Sequence, residues 1–459
     1  MRTARGMWMA ALAAVMAGTG GAQPAGLTMA QAVEAALRNY PAVRVSQEQA
    51  NAAGAAIGLA RTAYLPRVDA MAQVNRATRN NVFGMLLPQS VIPSMSGPVL
   101  GTNNFGTAWG SAIGTLVTWE PFDFGLRRAG VAAAEASQAQ AEAAVKRTGF
   151  EVCANAAAAY LTLAAARETV RAAQAAVDRA ATLAGITRAL VGAELRPGAD
   201  ASRAEAELAA ARTQLARASQ AVEIARAGVA QYVGGEPGGI EISAPGLLQL
   251  PPEAPAAPPD PAAHPAAVEQ SAAVEQSNAQ MRTLERQWFP RFYLQGAAYA
   301  RGTGAETNGG ILGGVNGLAP SVQDYALGFT VNFPVFDFAS IRERERVQAA
   351  TVRAQEARSQ QIAADLRAQW NVADAELRGA RQVAANTPAE VAAAHAAVEQ
   401  AGARYQSGLG AIDQVAEAQR LLAQAEIDDA LARLAVWRAL LGVAAAAGDL
   451  QPFLAEVGK

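Results

Sequence analysis

Histidine residues are the first place to look in this sequence for catalysis or metal binding. His264 and His395 are the only two, and each has a single glutamate nearby, Glu269 and Glu399 respectively. One histidine and one carboxylate are too few ligands for zinc, which takes four. We therefore predict no metal site, no cofactor and no enzyme activity.

The sequence also gives little support for a nucleotide-binding loop, a reactive thiol or a nucleic-acid-binding surface. No helix is predicted to follow the glycine-rich run Gly309–Gly314, so we interpret it as an external loop rather than a nucleotide loop. The single Cys153 sits among alanines and is predicted to be a small buried hydrophobe. A net charge of −2 with 17% charged residues lacks the clustered basic surface of nucleic-acid-binding proteins.

The first 22 residues have the pattern of an export signal. Arg2 and Arg5 give a charged start, Met7 to Ala17 form an apolar core, and Gly20-Gly21-Ala22 form a small-residue cleavage site. The apolar core is too short for a membrane anchor, and no later stretch of about 20 residues is strongly apolar. Residues 152–166 come nearest. A chain of this kind would enter a membrane only as strands closed into a barrel.

Four segments alternate between apolar and polar residues. They cover residues 67–76, a run that begins at 107, residues 291–301, and a run that ends at Phe333. Each is about ten residues long, which is the length of strands in membrane-spanning barrels. Strands of a soluble β-sandwich alternate in the same way, so this alternative remains open on pattern alone.

Aromatic residues occur at the ends of these strands. Trp109 and Trp119 share a face and lie roughly 33 Å apart by strand rise, which predicts one anchor at each membrane interface. Phenylalanines mark the two places where a strand is followed by a helix, and these are either interface residues or packing residues. The predicted interface aromatics are Trp109, Trp119, Phe122, Phe124, Tyr325, Phe333, Phe336 and Phe338.

Two long helical runs follow the second and fourth strands. They cover residues 125–190 and 338–405, roughly 100 Å each at 1.5 Å per residue. Pro388 is predicted to kink the second. Each run ends at a glycine-bearing break, and shorter return helices follow over 200–233 and 412–445.

The two halves of the sequence correspond with a constant shift. Both return helices carry alanine, leucine and valine at the spacing of a coiled-coil seam. A shift of 214 residues relates the two seams, and it also relates Phe122-Asp123-Phe124 to Phe336-Asp337-Phe338. Asp429 breaks the second seam where Leu215 stands in the first. So regular a shift predicts a two-fold internal repeat.

These patterns divide the sequence into five segments. Residues 244–261 contain seven prolines and are predicted to form an extended strap. The segments are a signal peptide at 1–22; a first repeat at 23–243, with strand-loop-strand 67–120, long helix 125–190 and return helix 200–233; the linker 244–261; a second repeat at 262–445, with strand-loop-strand 291–335, long helix 338–405 and return helix 412–445; and a tail at 446–459.

Four strands are too few to close a barrel, since small barrels need about eight. The helical runs are too long for a compact monomer and carry few large apolar side chains. Both facts predict an oligomer of mixed α and β class, in which several chains supply one strand barrel with a polar lining.

The sequence resembles the TolC-type outer membrane efflux protein family over residues 27 to about 445. The resemblance rests on the internal repeat, the strand-loop-strand insertions and Phe122-Asp123-Phe124-Gly125 before a long helix. The turn Tyr405-Gln406-Ser407-Gly408, followed by Val415-Ala416-Glu417-Ala418-Gln419, also matches the family.

The resemblance implies a homotrimer in the outer membrane that extends into the periplasm. Its transmembrane β-barrel, with four strands from each chain, continues as a long α-helical coiled-coil barrel. Such a duct works with a periplasmic adaptor and an inner-membrane transporter in tripartite efflux or type I secretion, is surrounded by outer membrane lipid and binds no nucleic acid. The competing interpretation is a periplasmic structural coiled-coil protein.

The resemblance also implies two functional surfaces at the turns between long and return helices. Acidic side chains facing a narrow pore would favour cations, although these residues can equally be solvated helix caps. At the position of the family's tip arginine in the second half, this sequence has Gly410, whereas Arg196 lies in the turn of the first half. The gate residues are Asp200, Tyr405, Asp413, Gln414 and Glu417; the adaptor contacts are Val191, Gly192, Ser407, Gly408 and Leu409.

Overall fold

The structure is a computed structural model. It describes residues 26–78, 106–243, 245–252, 258–306, 310–335 and 337–458. The chain divides into two compact units. As far as they are described, the helical unit contains Met1–Pro41, Gly149–Pro258 and Ala368–Lys459, and the sheet unit contains Ala42–Thr148 and Pro259–Arg367. The predicted signal peptide and Phe336 lie outside the described residues.

The first helix begins at Met29, directly after its N-cap Thr28. The Thr28 hydroxyl accepts a hydrogen bond from the Gln31 backbone N–H, and the Gln31 side chain accepts one from the Thr28 N–H. This reciprocal cap satisfies two donors that the first turn leaves free. The α-helices of the described residues are α1 Met29–Asn39, α2 Pro41–Thr62, α3 Leu126–Gly192, α4 Gly198–Val233, α5 Pro265–Glu285, α6 Phe338–Gln406, α7 Ile412–Ala447 and α8 Gln451–Val457.

The long helix α6 continues through Pro388 as one helix, so the proline does not end it. The neighbouring Thr387 is buried, and its hydroxyl donates a 2.8 Å hydrogen bond to Asp429 of α7. Asp429 is in turn 2.8 Å from Arg433. The residue that breaks the predicted seam therefore has polar partners, while its apolar seam neighbours Ala425 and Ala432 are buried.

Helices α3 and α7 correct the prediction that no later stretch is apolar enough to cross a membrane. Their most apolar 18-residue windows have mean hydropathies of 1.2 and 1.5, so both pass by length and composition. Within the chain, 44% and 50% of these windows are buried. Both helices contribute to the core of the helical unit, with Tyr160 of α3 beside Trp437 and Leu441 of α7 in one cluster, which accounts for their apolarity.

The sheet unit holds one antiparallel sheet of four strands in the order β1-β2-β3-β4. The strands are β1 Arg67–Thr78, β2 Thr107–Phe122, β3 Arg291–Thr303 and β4 Val322–Asn332. The register shifts between Trp119 and Phe122, where β2 approaches its end. Because β1 and β4 are the outermost strands, each has one edge without a partner strand among the described residues.

Described parts of the linker and of the tail pack against α7. Leu247, in a 3₁₀ turn at Pro245–Leu248, is only 1% exposed, and the indole N–H of Trp437 donates to the Gln249 carbonyl oxygen at 3.0 Å. The tail forms helix α8, whose Phe453 is buried against the Trp437 ring. Both segments cover the broad indole of α7 and so remove apolar surface from water.

Candidate functional site

The four strands place their apolar residues on one face of the sheet, called here the apolar face. Residues that pair directly across antiparallel strands point to the same side. Ala72 pairs with Ile113, Ile113 with Ala300, and Leu294 with Phe329. The alternation predicted strand by strand therefore becomes one continuous surface. Its large exposed side chains include Val68, Val74, Ile113, Val117, Tyr325, Leu327 and Phe329.

The opposite face, called the polar face, carries small residues and paired charges. Arg301 lies 3.0 Å from Asp324, and Arg67 lies 2.9 Å from Asp69. Gly114 is required here, because a Cβ atom at this position would lie 2.3 Å from the Tyr299 Cβ atom. A sheet with one apolar and one polar face can separate lipid from an aqueous pore.

The predicted interface aromatics of the strands lie in different environments. Trp119 is partly exposed, and its indole N–H donates to the Tyr64 carbonyl oxygen at 3.1 Å. The guanidinium of Arg76 lies 5.2 Å from the Trp109 ring centre. Tyr325 is 89% exposed. All three aromatics project from the apolar face.

At the first junction, between β2 and α3, the phenylalanines pack on one another. The ring centres of Phe122 and Phe124 are 4.6 Å apart, and Phe124 stacks on Phe289 at 5.2 Å. Phe124 adopts a left-handed backbone with φ of +51°, which only glycine takes without cost. Phe122 and Phe124 therefore contact other aromatic rings, but they remain 54% and 37% exposed.

Asp123 caps helix α3 within this cluster. Its carboxylate accepts hydrogen bonds from the Gly125 N–H at 3.1 Å and the Arg127 N–H at 2.7 Å, and it pairs with Arg127 Nε at 2.8 Å. Burial raises the pKa of Asp123, but the hydrogen bonds and the charge of Arg127 outweigh it and hold that pKa below its ordinary value. Arg127 also lies over the Tyr64 ring.

At the second junction, between β4 and α6, the two described phenylalanines are about as exposed as Phe122, which is 54% exposed. Phe333 is 61% and Phe338 53% exposed. Asp337, which corresponds to Asp123, is exposed and forms no ion pair with the described residues. The predicted interface residue Phe336 lies outside the described residues.

The turns at the ends of the long helices bring two predicted gate residues together. The hydroxyl of Tyr405, a residue only 2% exposed, donates to Asp200 Oδ2 at 3.1 Å. Burial raises the pKa of Tyr405, and the hydrogen bond to Asp200 raises it further, because both disfavour the phenolate. The hydrogen bond with Thr187 lowers this pKa, but its effect is smaller than that of burial. Leu183, Ile412 and Val415 pack around the ring.

Arg196 is a third member of this arrangement and is absent from the predicted gate residues. Its guanidinium lies 4.4 Å from the Tyr405 ring centre and also donates to the Tyr405 carbonyl oxygen. The sequence contained an indication of this residue, because Arg196 occupies the position in the first turn that corresponds to Gly410 in the second turn. Arg196, Asp200 and Tyr405 together form what is called here the tip lock.

The other predicted gate residues lie at the surface of the chain. Asp413 is 3.6 Å from Arg203, and Glu417 pairs with Arg420. Gln414 is exposed in the first turn of α7. These three residues are not part of the tip lock, and both acidic side chains have an arginine partner.

The two turns have the same backbone hydrogen bonds. The Leu195 N–H donates to the Leu190 carbonyl and the Leu409 N–H to the Arg404 carbonyl, both at 2.9 Å. The left-handed residue is Gly408 in the second turn, with φ of +81°, and Glu194 in the first, with φ of +61°.

The predicted adaptor contacts lie at these two turns. Gly192 is the last residue of α3, and Glu194, two residues later, takes the left-handed position. Among the predicted adaptor contacts, Val191 is half-buried, while Gly192, Ser407 and Gly408 are exposed. The largest exposed apolar side chains of the turns are Leu409 at 76% and Leu195 at 70%. Leu195 was missed, although the 214-residue shift from Leu409 points to it.

The residues considered for chemistry have structural partners. His264 Nδ1 accepts from the Ala266 N–H and caps helix α5, while Glu269 pairs with Arg147. His395 lies 3.8 Å from Glu426, which already pairs with Arg179. Cys153 packs against the core, and burial raises the pKa of its thiol. Within the described ranges, no group of three or more His, Cys, Asp and Glu side chains is arranged to hold a metal ion.

Known proteins with this arrangement are channels. The sequence profile described as outer membrane efflux protein matches residues 32–235 and 262–449. Protein CyaE of Bordetella pertussis is 29% identical over 222 residues, which are 48% of this chain and 43% of CyaE. The match thus spans less than half the length of that relative.

Two solved channels share the fold. The outer-membrane channel OprN superposes with a TM-score of 0.72 at 21% identity, covering 92% of this chain and 89% of OprN. The CmeC outer membrane channel of Campylobacter jejuni gives 0.73 at 16% identity, covering 92% and 85%. Because the profile match extends over most of the sequence, the chain belongs to the outer membrane efflux protein family, whose members are channels of the outer membrane and not enzymes.

Proposed function

We propose that three copies of this chain form the exit duct of a tripartite efflux or type I secretion system. The duct passes substrates from an inner-membrane pump and a periplasmic adaptor across the periplasm and the outer membrane. The observation that carries this proposal is the four-stranded sheet with one apolar face, one polar face and two unpaired edges. Three such sheets joined edge to edge make a closed twelve-stranded barrel, which leaves no strand edge in lipid.

The helices complete the duct in this proposal. The 214-residue shift between the return helices supports a two-fold repeat, in which each half supplies one long helix and one return helix. Their seams are built from alanine, which permits close approach of neighbouring helices. Three chains then supply a helical barrel in addition to the strand barrel.

The tip lock is the proposed gate contact. It ties the first turn to the second through Tyr405, so opening of the tip requires its hydrogen bonds to break. The exposed leucines Leu195 and Leu409 form the apolar part of the proposed adaptor contact. The acidic residues Asp413 and Glu417, each with its arginine partner, are proposed to line the rim of the opening.

Alkaline pH provides a test of the gate. The contribution of neutral Tyr405 is fully present below the ordinary tyrosine value of 10.0 and is lost as pH rises through the raised pKa of the folded state. We expect single-channel conductance in planar bilayers to increase in that range. Tyr405→Phe should conduct more at neutral pH and show no further alkaline increase, whereas the matched control Tyr232→Phe should behave as the wild type. An equal alkaline response in Tyr405→Phe would remove Tyr405 from the gate.

Fractionation and electrophoresis test the duct itself. The detergent-extracted protein should come from the outer membrane and migrate as a heat-modifiable trimer. Recovery from the soluble periplasmic fraction would instead favour the structural coiled-coil protein. The pump determines the cargo, so drugs, metals and proteins are all substrates compatible with this duct.

A further inference from the structure

A cavity of about 760 Å³ lies in the sheet unit where β4 ends and α6 begins. Its volume is within the range of small-molecule sites, about 300–1,000 Å³. Three arginines line it: Arg286 follows α5, Arg291 begins β3 and Arg344 lies in the second turn of α6.

The charges of the cavity are only partly compensated. Arg291 forms two 2.9 Å hydrogen bonds to Glu120, and Asp123 pairs with Arg127. Arg286 and Arg344 form no ion pair with the described residues, and both line the cavity together with one free carboxylate, Asp337. These two unpaired positive charges and one unpaired negative charge give the cavity a net charge of +1, which a ligand with one negative charge would balance.

The rim of the cavity is apolar and exposed. Phe289, Phe333 and Val335 line it and are 38%, 61% and 59% exposed. They lie next to the ends of the strands whose apolar face is proposed to meet lipid, at the level of the headgroups. A ligand with one negative charge and an apolar part matches both the rim and the interior.

We propose that this cavity binds the phosphodiester headgroup of a glycerophospholipid of the outer membrane. Arg286 and Arg344 contact the phosphate oxygens, while Phe333 and Val335 contact the glycerol and the start of the acyl chains. The inference rests on the proposed function, because the cavity lies at a membrane interface only if the sheet spans the membrane.

Titration with a short-chain lipid tests the site. The trimer in a neutral maltoside detergent is titrated with dihexanoylphosphatidylglycerol, with tryptophan fluorescence as readout, since Trp288 adjoins Phe289 of the rim. Each of Arg286→Gln and Arg344→Gln should weaken binding about tenfold, the cost of a charge-assisted hydrogen bond. The matched control Arg346→Gln removes an exposed arginine of the same helix that does not line the cavity. It should stay within about twofold of the wild type.

Three results would overturn the proposal: equal affinity of the wild type and both arginine variants, displacement of the lipid by millimolar inorganic phosphate, or absence of wild-type binding because a neighbouring copy covers the cavity. Heat-modifiable migration of each variant checks that it folds. Channel conductance is expected to be unchanged in both arginine variants. Failure of lipid binding with intact conductance therefore contradicts the lipid site alone, whereas loss of the trimer in the wild type contradicts the duct.

Discussion

The two strand-to-helix junctions have nearly the same sequence but different physical designs. At the first, Asp123 is buried, caps α3 and pairs with Arg127. At the second, the position 214 residues after Arg127 is Ile341, which is buried, and Asp337 remains exposed without an ion-pair partner among the described residues. The two junctions thus differ in the partner available to the aspartate, which is Arg127 at the first and, among the described residues, absent at the second, where Ile341 stands.

The same motif therefore occurs in two different environments. The Phe-Asp-Phe pattern ensures a strand end and a helix start at both places. Whether the aspartate is a buried cap or a free charge depends on the residue four positions later, which lies on the same helical face. The comparison gives three predictions, ordered by expected size.

The largest effect is expected for Asp123→Ala. It leaves Arg127 buried without its partner and removes two backbone caps, so unfolding should become easier by about 3 kcal/mol. The matched variant Asp337→Ala should change stability by less than about 0.5 kcal/mol, because its side chain is exposed. Guanidinium unfolding of the detergent-solubilised protein measures both. Equal effects would show that the two junctions are equivalent.

A smaller effect is expected for Gly125→Ala. Gly125 has φ of +90° and open space around an added Cβ atom, so the cost is that of the backbone alone, about 1–2 kcal/mol. The corresponding Ala339 lies in the first turn of α6, and Ala339→Gly should cost about 0.5–1 kcal/mol. The same unfolding measurement applies. A neutral Gly125→Ala would contradict the strained turn at the first junction.

The smallest effect is expected for Trp119→Phe. This change removes the hydrogen bond to the Tyr64 carbonyl oxygen and should cost about 1 kcal/mol. Phe333, 214 residues later, is exposed, and Phe333→Leu should cost about 0.5 kcal/mol or less. The midpoint of thermal unfolding distinguishes them. If Phe333→Leu is the more damaging change, Phe333 is buried by lipid or by a neighbouring copy.

Strands and helices were predictable because their signals are local. Alternation with period two located all four strands, and the observed bounds of α3 and α6 lie within two residues of the predicted helical runs. The proline-rich linker and the tail were harder, because their order depends on the distant Trp437 that they cover. No pattern within either segment contains that information.

The tip was predictable only in part. Family resemblance selected Tyr405 and Asp200, which are in hydrogen-bond contact, but not Arg196, which interacts with the same tyrosine. Arg196 and Tyr405 are distant in the chain, so their contact appears only when the two turns meet. The roles of all these residues in gating stay predictions.

The periodic features of this protein can be read from its residues alone: strand faces, helix lengths, seams and the 214-residue shift. They follow from residue type and spacing, because backbone geometry repeats regularly along the chain. Which side chains are buried together, and therefore which charges are compensated, became known only from the folded structure. Asp123 and Asp337 share a motif, but burial beside Arg127 makes one a structural cap, and exposure leaves the other free. That distinction arises because the energy of a charge depends on its surroundings in space and not on its neighbours in sequence.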